Sequence, residues 1–125
     1  MKALSILVVE DNPDVQETIR EYLTPEFDVI IAKDGAQGLS LATSLRPSLI
    51  LTDLVVPQLD GIALCRALRA EEATRQIPII VMSGHGTDET KHAAISAGAD
   101  DFLPKPFRQR ELLARIGNQL GPSWI

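Results

Sequence analysis

Three acids, a hydroxyl and an amine are placed where they could do chemistry together: Glu10, Asp11, Asp53, Ser83 and Lys105. Each closes or follows a short apolar run. Glu10-Asp11 follow Ile6-Leu7-Val8-Val9, and Asp53 lies just past Leu49-Ile50-Leu51. Ser83-Gly84 follow Ile79-Ile80-Val81-Met82, and Lys105-Pro106 come just after Phe102-Leu103. Three carboxylates within several ångströms repel one another by about 1–4 kcal/mol per pair, for effective dielectrics of roughly 80 to 20. A cation relieves that crowding, and carboxylate, carbonyl and water oxygens suit Mg²⁺. A lysine ammonium is a point charge suited to a phosphoryl oxygen. Taken singly, each residue has an ordinary explanation. An aspartate after a strand is commonly a cap or turn former, Ser-Gly a turn, a lone lysine a surface charge. The conjunction is what points to cation and phosphoryl chemistry.

The elements that must position these groups are legible. The four strong apolar runs are those ending at Val9, Ala32 (Val29-Ile30-Ile31-Ala32), Leu51 and Met82, with a weaker fifth at Phe102-Leu103. They are continuous rather than alternating, as in parallel strands covered on both faces. Helical stripes lie between them. Val15, Ile19, Tyr22 and Leu23 follow Asn12-Pro13, with proline near a helix start. Leu39, Ala42 and Leu45 follow Asp34-Gly35, and Ile62, Cys65 and Leu68 follow Asp60-Gly61. Ala94, Ile95 and Ala97 follow Asp88 and end at Gly98, a fitting C-terminal cap. Leu112, Leu113, Ile116 and Leu120 run to Gly121-Pro122. Strand and helix thus alternate five times, a (βα)5 unit with right-handed crossovers and helices on both faces of one sheet. In such sheets ligands bind beyond the carboxyl ends of the strands, which is where the five polar residues fall.

Composition limits the alternatives. The chain has 125 residues, 45% hydrophobic and 23% charged, the make-up of one soluble globular domain. Its net charge of −5 is the opposite of what a phosphate-backbone binder carries, so no direct nucleic-acid binding is expected. No apolar stretch approaches the ~20 residues that span a bilayer, so no membrane insertion is expected. Cys65 is the single cysteine, so neither an internal disulfide nor a cysteine-based zinc site is available. A cytoplasmic location is the default expectation. Residues 1–121 read as the domain and 122–125 as a short tail or the start of a linker.

Four pieces together resemble the response regulator receiver domain. They are Val9-Glu10-Asp11-Asn12, Leu51-Thr52-Asp53 with Pro57 and Asp60-Gly61, Met82-Ser83-Gly84, and Gly98-Ala99-Asp100-Asp101-Phe102-Leu103-Pro104-Lys105-Pro106-Phe107. The resemblance runs from about Ala3 to Leu120. It implies a doubly wound, flavodoxin-like five-stranded parallel sheet of order 2-1-3-4-5. It implies a phosphoacceptor domain rather than an enzyme, with Asp53 taking a phosphoryl group from a sensor histidine kinase or phosphotransfer protein. Mg²⁺, with Mn²⁺ as a substitute, would be held by Asp11, Asp53 and the Val55 backbone carbonyl, with Glu10 direct or through water. Lys105 would pair with Asp53 and then with the phosphoryl group, aimed by a cis Lys105–Pro106 bond. Ser83 would bond a phosphoryl oxygen, and Phe102 would be the switch aromatic, turning inward as Ser83 moves.

The same resemblance implies a changing surface on the fourth helix, fifth strand and fifth helix. Lys91, Asp100, Asp101, Glu111 and Arg115 there resemble the charged residues through which receivers of winged-helix regulators form dimers, so a phosphorylation-enhanced homodimer is expected. This sequence departs from the commoner pattern with Ser83 for threonine, Phe102 for tyrosine and Val55-Val56 before Pro57. His85 falls near the phosphoryl site. Three rival readings are weaker. An aspartate-nucleophile phosphatase would carry a second acid where Val55 stands, a degenerate receiver serving only as a binding module would not keep all five main positions, and a nucleotide-binding fold would carry a Gly-rich loop after the first strand.

Overall fold

The computed structural model describes residues 4–84 and 86–121. The tail 122–125 and His85 lie outside the described residues. Strands and helices alternate: β1 (Ser5–Val9), α1 (Pro13–Leu23), β2 (Asp28–Ala32), α2 (Gly35–Leu45), β3 (Leu49–Asp53), α3 (Gly61–Ala70), β4 (Ile79–Ser83), α4 (Asp88–Ser96), β5 (Asp101–Pro104) and α5 (Gln109–Leu120). All pairings are parallel and the order is β2-β1-β3-β4-β5. This is the doubly wound, flavodoxin-like α/β fold.

Alternate side chains of each strand feed two cores. Leu7, Val9, Ile50, Ile79, Val81 and Phe102 pack with α2, α3 and α4 on one face. Ile6, Val8, Leu51, Ile80, Met82 and Leu103 pack with α1 and α5 on the other. The continuous apolar runs follow from that double cover, since neither strand face meets water. β2 is the exception, an edge strand whose Val29, Ile30 and Ile31 stay partly exposed.

Short polar side chains start the helices. Asn12 Oδ1 accepts from Asp14 N at 2.8 Å, Asp34 Oδ1 from Gln37 N at 2.7 Å and Asp60 Oδ1 from Ala63 N at 2.9 Å. Each such cap contributes about 1 kcal/mol. The fourth helix is capped by Thr87, whose hydroxyl accepts from Thr90 N at 3.1 Å, while Asp88 is its first residue.

Two stripe residues expected to be buried are not. Leu45 is 54% and Ile95 43% exposed. The buried side of α2 is Gly35, Gly38 and Ala42, and that of α4 is Ala94. Small residues let these helices lie close to the sheet: a Cβ on Gly38 would come 2.8 Å from Val9 Cγ2. Ile95, one position past Ala94, then falls about 100° away on the helix and faces water, and Leu45 is the last residue of α2.

Arg69 joins four segments. Its guanidinium donates to Gly98 O (3.0 Å), Arg75 O (2.8 Å), Ile77 O (2.8 Å) and the Asp100 carboxylate (2.8 Å). Gly98 closes α4 at φ +118°, and a Cβ there would lie 2.6 Å from Arg69 Cγ. Only glycine suits both the backbone and the contact. Arg69→Ala is expected to cost about 2 kcal/mol, because three carbonyls and a carboxylate lose a charged donor together. That corresponds to a fall of roughly 8 °C in the thermal midpoint. Arg69→Lys should recover little, since one ammonium cannot reach acceptors arranged for a planar fork. A midpoint unchanged in Arg69→Ala would show the clamp to be energetically neutral.

Candidate functional site

The carboxyl ends of β1, β3, β4 and β5 meet on one edge, and the register sets the reacting groups side by side. Thr52 pairs with Val9 and Asp53 with Met82, so Asp53 stands level with Glu10 on one side and with Met82, the residue before Ser83, on the other. Glu10 continues the β1 ladder through its N–H to Ala32 O at 2.9 Å. Lys105 follows β5 directly, its backbone N–H donating to Ser83 O at 2.8 Å. The Lys105–Pro106 peptide is cis, as is Thr24–Pro25, which sequence reading did not single out. Close approach of α3 completes the edge. Gly61 N donates to Leu54 O at 2.8 Å, and a Cβ on Gly61 would lie 2.7 Å from Asp53 O.

Glu10, Asp11 and Asp53 each offer a carboxylate oxygen within 4.8 Å of the others. Lys105 Nζ bridges two of them, 2.8 Å from Asp53 Oδ2 and 2.8 Å from Glu10 Oε1. Asn12 N donates to the second Glu10 oxygen at 3.1 Å, and Val55 N to Asp53 Oδ1 at 3.3 Å. The Asp11 carboxylate is exposed and accepts no hydrogen bond among the described residues. The Val55 carbonyl likewise accepts none among them, and the Val55 residue is 69% exposed.

Electrostatics follow from burial. Glu10 is 1% exposed. Burial raises its pKa, an effect opposed but not cancelled by the Lys105 hydrogen bond. Burial also acts to lower Lys105, and the two carboxylate hydrogen bonds outweigh it, so its pKa is raised. The ammonium at 2.8 Å and the N–H on its other oxygen favour the charged carboxylate against that burial. The donor set is all oxygen, with no imidazole or thiolate in the cluster. It therefore fits a hard, octahedral divalent ion such as Mg²⁺ and not zinc or copper. Cys65 stands apart: it is fully buried, its thiol pushed up to about 11 by burial, which makes it inert at neutral pH.

Ser83 is 2% exposed at the end of β4. Phe102, expected to turn inward on phosphorylation, is 3% exposed in this structure and packed with α2, α3 and α4. A benzyl group has no hydroxyl to leave in water, so full burial is its favourable position by about 2–3 kcal/mol.

The five charges of the expected dimer surface are mostly engaged within the chain. Asp100 binds Arg69 and also accepts from Ile79 N at 2.9 Å. Asp101 binds Arg115 at 2.7 Å, and Glu111 accepts from Arg108 N at 3.0 Å. Lys91 alone of the five has no partner among the described residues. Sequence reading missed these pairs, Arg69, and Lys105's second partner Glu10. The ion pairs join residues 14 to 95 positions apart and have no local signal, whereas Glu111 to Arg108 N is a local contact at the start of α5.

Comparison with known proteins agrees with this geometry. Residues 6–117 match the response regulator receiver domain. The DNA-binding dual master transcriptional regulator RpaA of Synechocystis is 38% identical over 112 residues, 89% of this chain and 46% of that protein. The chain thus spans about half the length of this curated relative. A putative response regulator from Chloroflexus aurantiacus superposes with a TM-score of 0.91 at 32% identity, covering 95% of this chain and 98% of that one. The receiver domain of the sensor histidine kinase PA1611 of Pseudomonas aeruginosa, solved with a magnesium ion in its active-site cleft, superposes with a TM-score of 0.89 at 34% identity, covering 96% and 99%. The chain belongs to the response regulator receiver domain family of two-component signal transduction. Among the described residues no helix is long and apolar enough to cross a membrane.

Proposed function

We propose that this domain is a phosphorylation switch: Asp53 accepts a phosphoryl group from a phosphohistidine of a sensor histidine kinase or phosphotransfer protein. The observation that carries the reading is the Asp53 carboxylate between a lysine at 2.8 Å and two further acids within 4.8 Å. A carboxylate oxygen of Asp53 forms the new bond to phosphorus, while the bond from phosphorus to the donor nitrogen breaks and its electron pair stays on the imidazole. The transfer is mostly positioning and charge neutralisation. Glu10, Asp11, Asp53 and the Val55 carbonyl would hold Mg²⁺ or Mn²⁺, which supplies that neutralisation when bound. Lys105 steadies Asp53 beforehand and can then pair with a phosphoryl oxygen. Ser83 supplies a hydroxyl at the same edge. Its carbonyl already takes the Lys105 N–H, which supports a route from the site into β5, with Phe102 as the switch aromatic of that strand. The domain would thereby be a regulatory phosphoacceptor that catalyses only its own phosphorylation and dephosphorylation. The test is mass spectrometry after incubation with acetyl phosphate and Mg²⁺. One phosphoryl adduct of about 80 Da is expected, absent in EDTA, and no adduct would overturn the reading.

The two acids of β1 have different tasks in this scheme. Asp11 is exposed and unpaired among the described residues, whereas Glu10 is buried against Lys105. Asp11→Ala is therefore expected to weaken Mg²⁺ binding roughly tenfold or more, and Glu10→Ala distinctly less. Calorimetric titration measures both, and equal losses would overturn the division of labour.

The output surface is proposed to lie on α4, β5 and α5. Arg115 already pairs with Asp101 in the same chain, so a two-fold contact would have to exchange that pair across the interface. Exposed pairs contribute only about 0–1 kcal/mol each, and a weak, phosphorylation-enhanced dimer is the expected result. Arg115→Glu should abolish it and leave phosphorylation intact. A variant that dimerises like wild type under beryllofluoride and Mg²⁺, measured by size exclusion, would remove this face as the interface.

A further inference from the structure

The three acids of the site are steadied by different means. Asp53 is held by Lys105 and Val55 N, and Glu10 by Lys105 and Asn12 N. The carboxylate of Asp11 accepts no hydrogen bond among the described residues. Among the described residues its aim rests on its backbone, and that backbone is a turn between β1 and α1. One side chain reaches back to pin the turn: Gln16 Nε2 donates to Glu10 O at 2.6 Å. The peptide plane joining Glu10 to Asp11 carries that oxygen at one end and the Asp11 N–H at the other. Fixing the carbonyl direction therefore fixes the angle at which Asp11 leaves the strand. Gln16 is itself anchored, because its backbone N–H donates to Asn12 O at 3.0 Å in the first turn of α1. The Asn12 side chain caps that same turn. The loop carrying two of the three acids is thus closed from α1 by an amide that touches neither acid's carboxylate.

We propose that Gln16 is a positioning residue of the metal-binding edge, acting on Asp11 through the Glu10 carbonyl. The inference rests on the reading of the acidic cluster as a Mg²⁺ site. It asks for a donor at position 16, not for bulk or charge. A methionine there keeps the length and loses the donor. A glutamate keeps length and shape and sets an oxygen against an oxygen.

The experiment has a metal-free and a metal-bound arm, both on the whole chain. Without metal, the Asn12 amide, which donates to Glu10 Oε2 at 3.1 Å, is expected to exchange its hydrogen about tenfold faster in Gln16→Met. The amide of Ile19, in the buried half of α1, should be unchanged. A general loosening of the helix would speed both. In calorimetric titration with Mg²⁺, Gln16→Met is expected to bind about tenfold more weakly, the size of effect seen when a group supporting a ligand is removed. Gln16→Glu keeps the test open should Gln16→Met fold poorly. Its added negative charge would by attraction alone tighten a cation, whereas loss of the donor loosens it, so weaker binding is expected. Unchanged or tighter binding in both variants, with wild type binding Mg²⁺ and Asp11→Ala not, would overturn the role of Gln16 and leave the site reading standing. Failure of wild type to bind Mg²⁺ at all would overturn the site reading itself.

Discussion

Asp53→Asn should lose the phosphoryl adduct completely while keeping the fold. The substitution is nearly isosteric, and its amide oxygen can still accept from Lys105, which lies 2.8 Å from the carboxylate today. What disappears is the nucleophile: an amide oxygen has no full negative charge to place on phosphorus. The neighbouring acids are not expected to substitute. Glu10 has both its oxygens engaged, by Lys105 and by Asn12 N, and is buried. Asp11 is free of such bonds but is exposed and has no ammonium beside it among the described residues. Intact-protein mass after acetyl phosphate and Mg²⁺ gives the answer, with thermal unfolding as the control for folding. An adduct retained in Asp53→Asn would move the acceptor elsewhere, and its position could be mapped on peptides.

Lys105→Met should have the second largest effect, and on stability before activity. Lys105 offsets two carboxylates, one of them 1% exposed. Removing one partner of a buried pair typically costs about 3–5 kcal/mol. Here Asp53 can turn to water and the lysine side chain is 22% exposed, so the lower end, about 3 kcal/mol, is expected. The pH dependence has a definite sign. Burial already raises the Glu10 pKa, and losing Lys105 removes an influence that lowers it, so the folded state of the variant binds this proton more readily than the unfolded chain. Its stability should then recover as the pH falls toward the carboxylate range. In wild type Lys105 has the same sign in a much higher pH window. Its folded pKa is raised, so its contribution is complete below the unfolded value near 10.4 and is lost only as the pH rises through the higher folded value. Mg²⁺ should also protect the variant more than wild type, because a cation then meets carboxylates with no ammonium competing for them. Unfolding scans at pH 5 and 7, with and without Mg²⁺, test both points. An equal loss at both pH values, with no extra protection by the metal, would mean that Lys105 is not the counterion of Glu10.

Much of this site was legible before any coordinates. Glu10, Asp11, Asp53, Ser83 and Lys105 each sit at the end of an apolar run, and the carboxyl ends of parallel strands share one edge whatever the strand order. The helix starts were legible because Asn12, Asp34 and Asp60 cap through bonds to residues two or three positions on. The weak fifth strand was harder: β5 has four residues and only Phe102 and Leu103 are buried. Helix faces were read less well. Leu45 and Ile95 count as apolar in any stripe, but α2 and α4 meet the sheet through glycine and alanine, which carry little hydropathy signal.

The alternation of strands and helices, and the edge on which the acids gather, were determined by the sequence alone, because periodicity, capping and turn formation are local. The partners of each charge were decided only by tertiary structure. Lys105 reaches Glu10 across 95 positions, Arg69 reaches Asp100 across 31, and Arg115 reaches Asp101 across 14. Phe102 likewise takes its place from the helices packed over it. A hydrogen bond is made or lost within a few tenths of an ångström. The spacing of residues along a chain carries no distance on that scale until the sheet has brought their strands together.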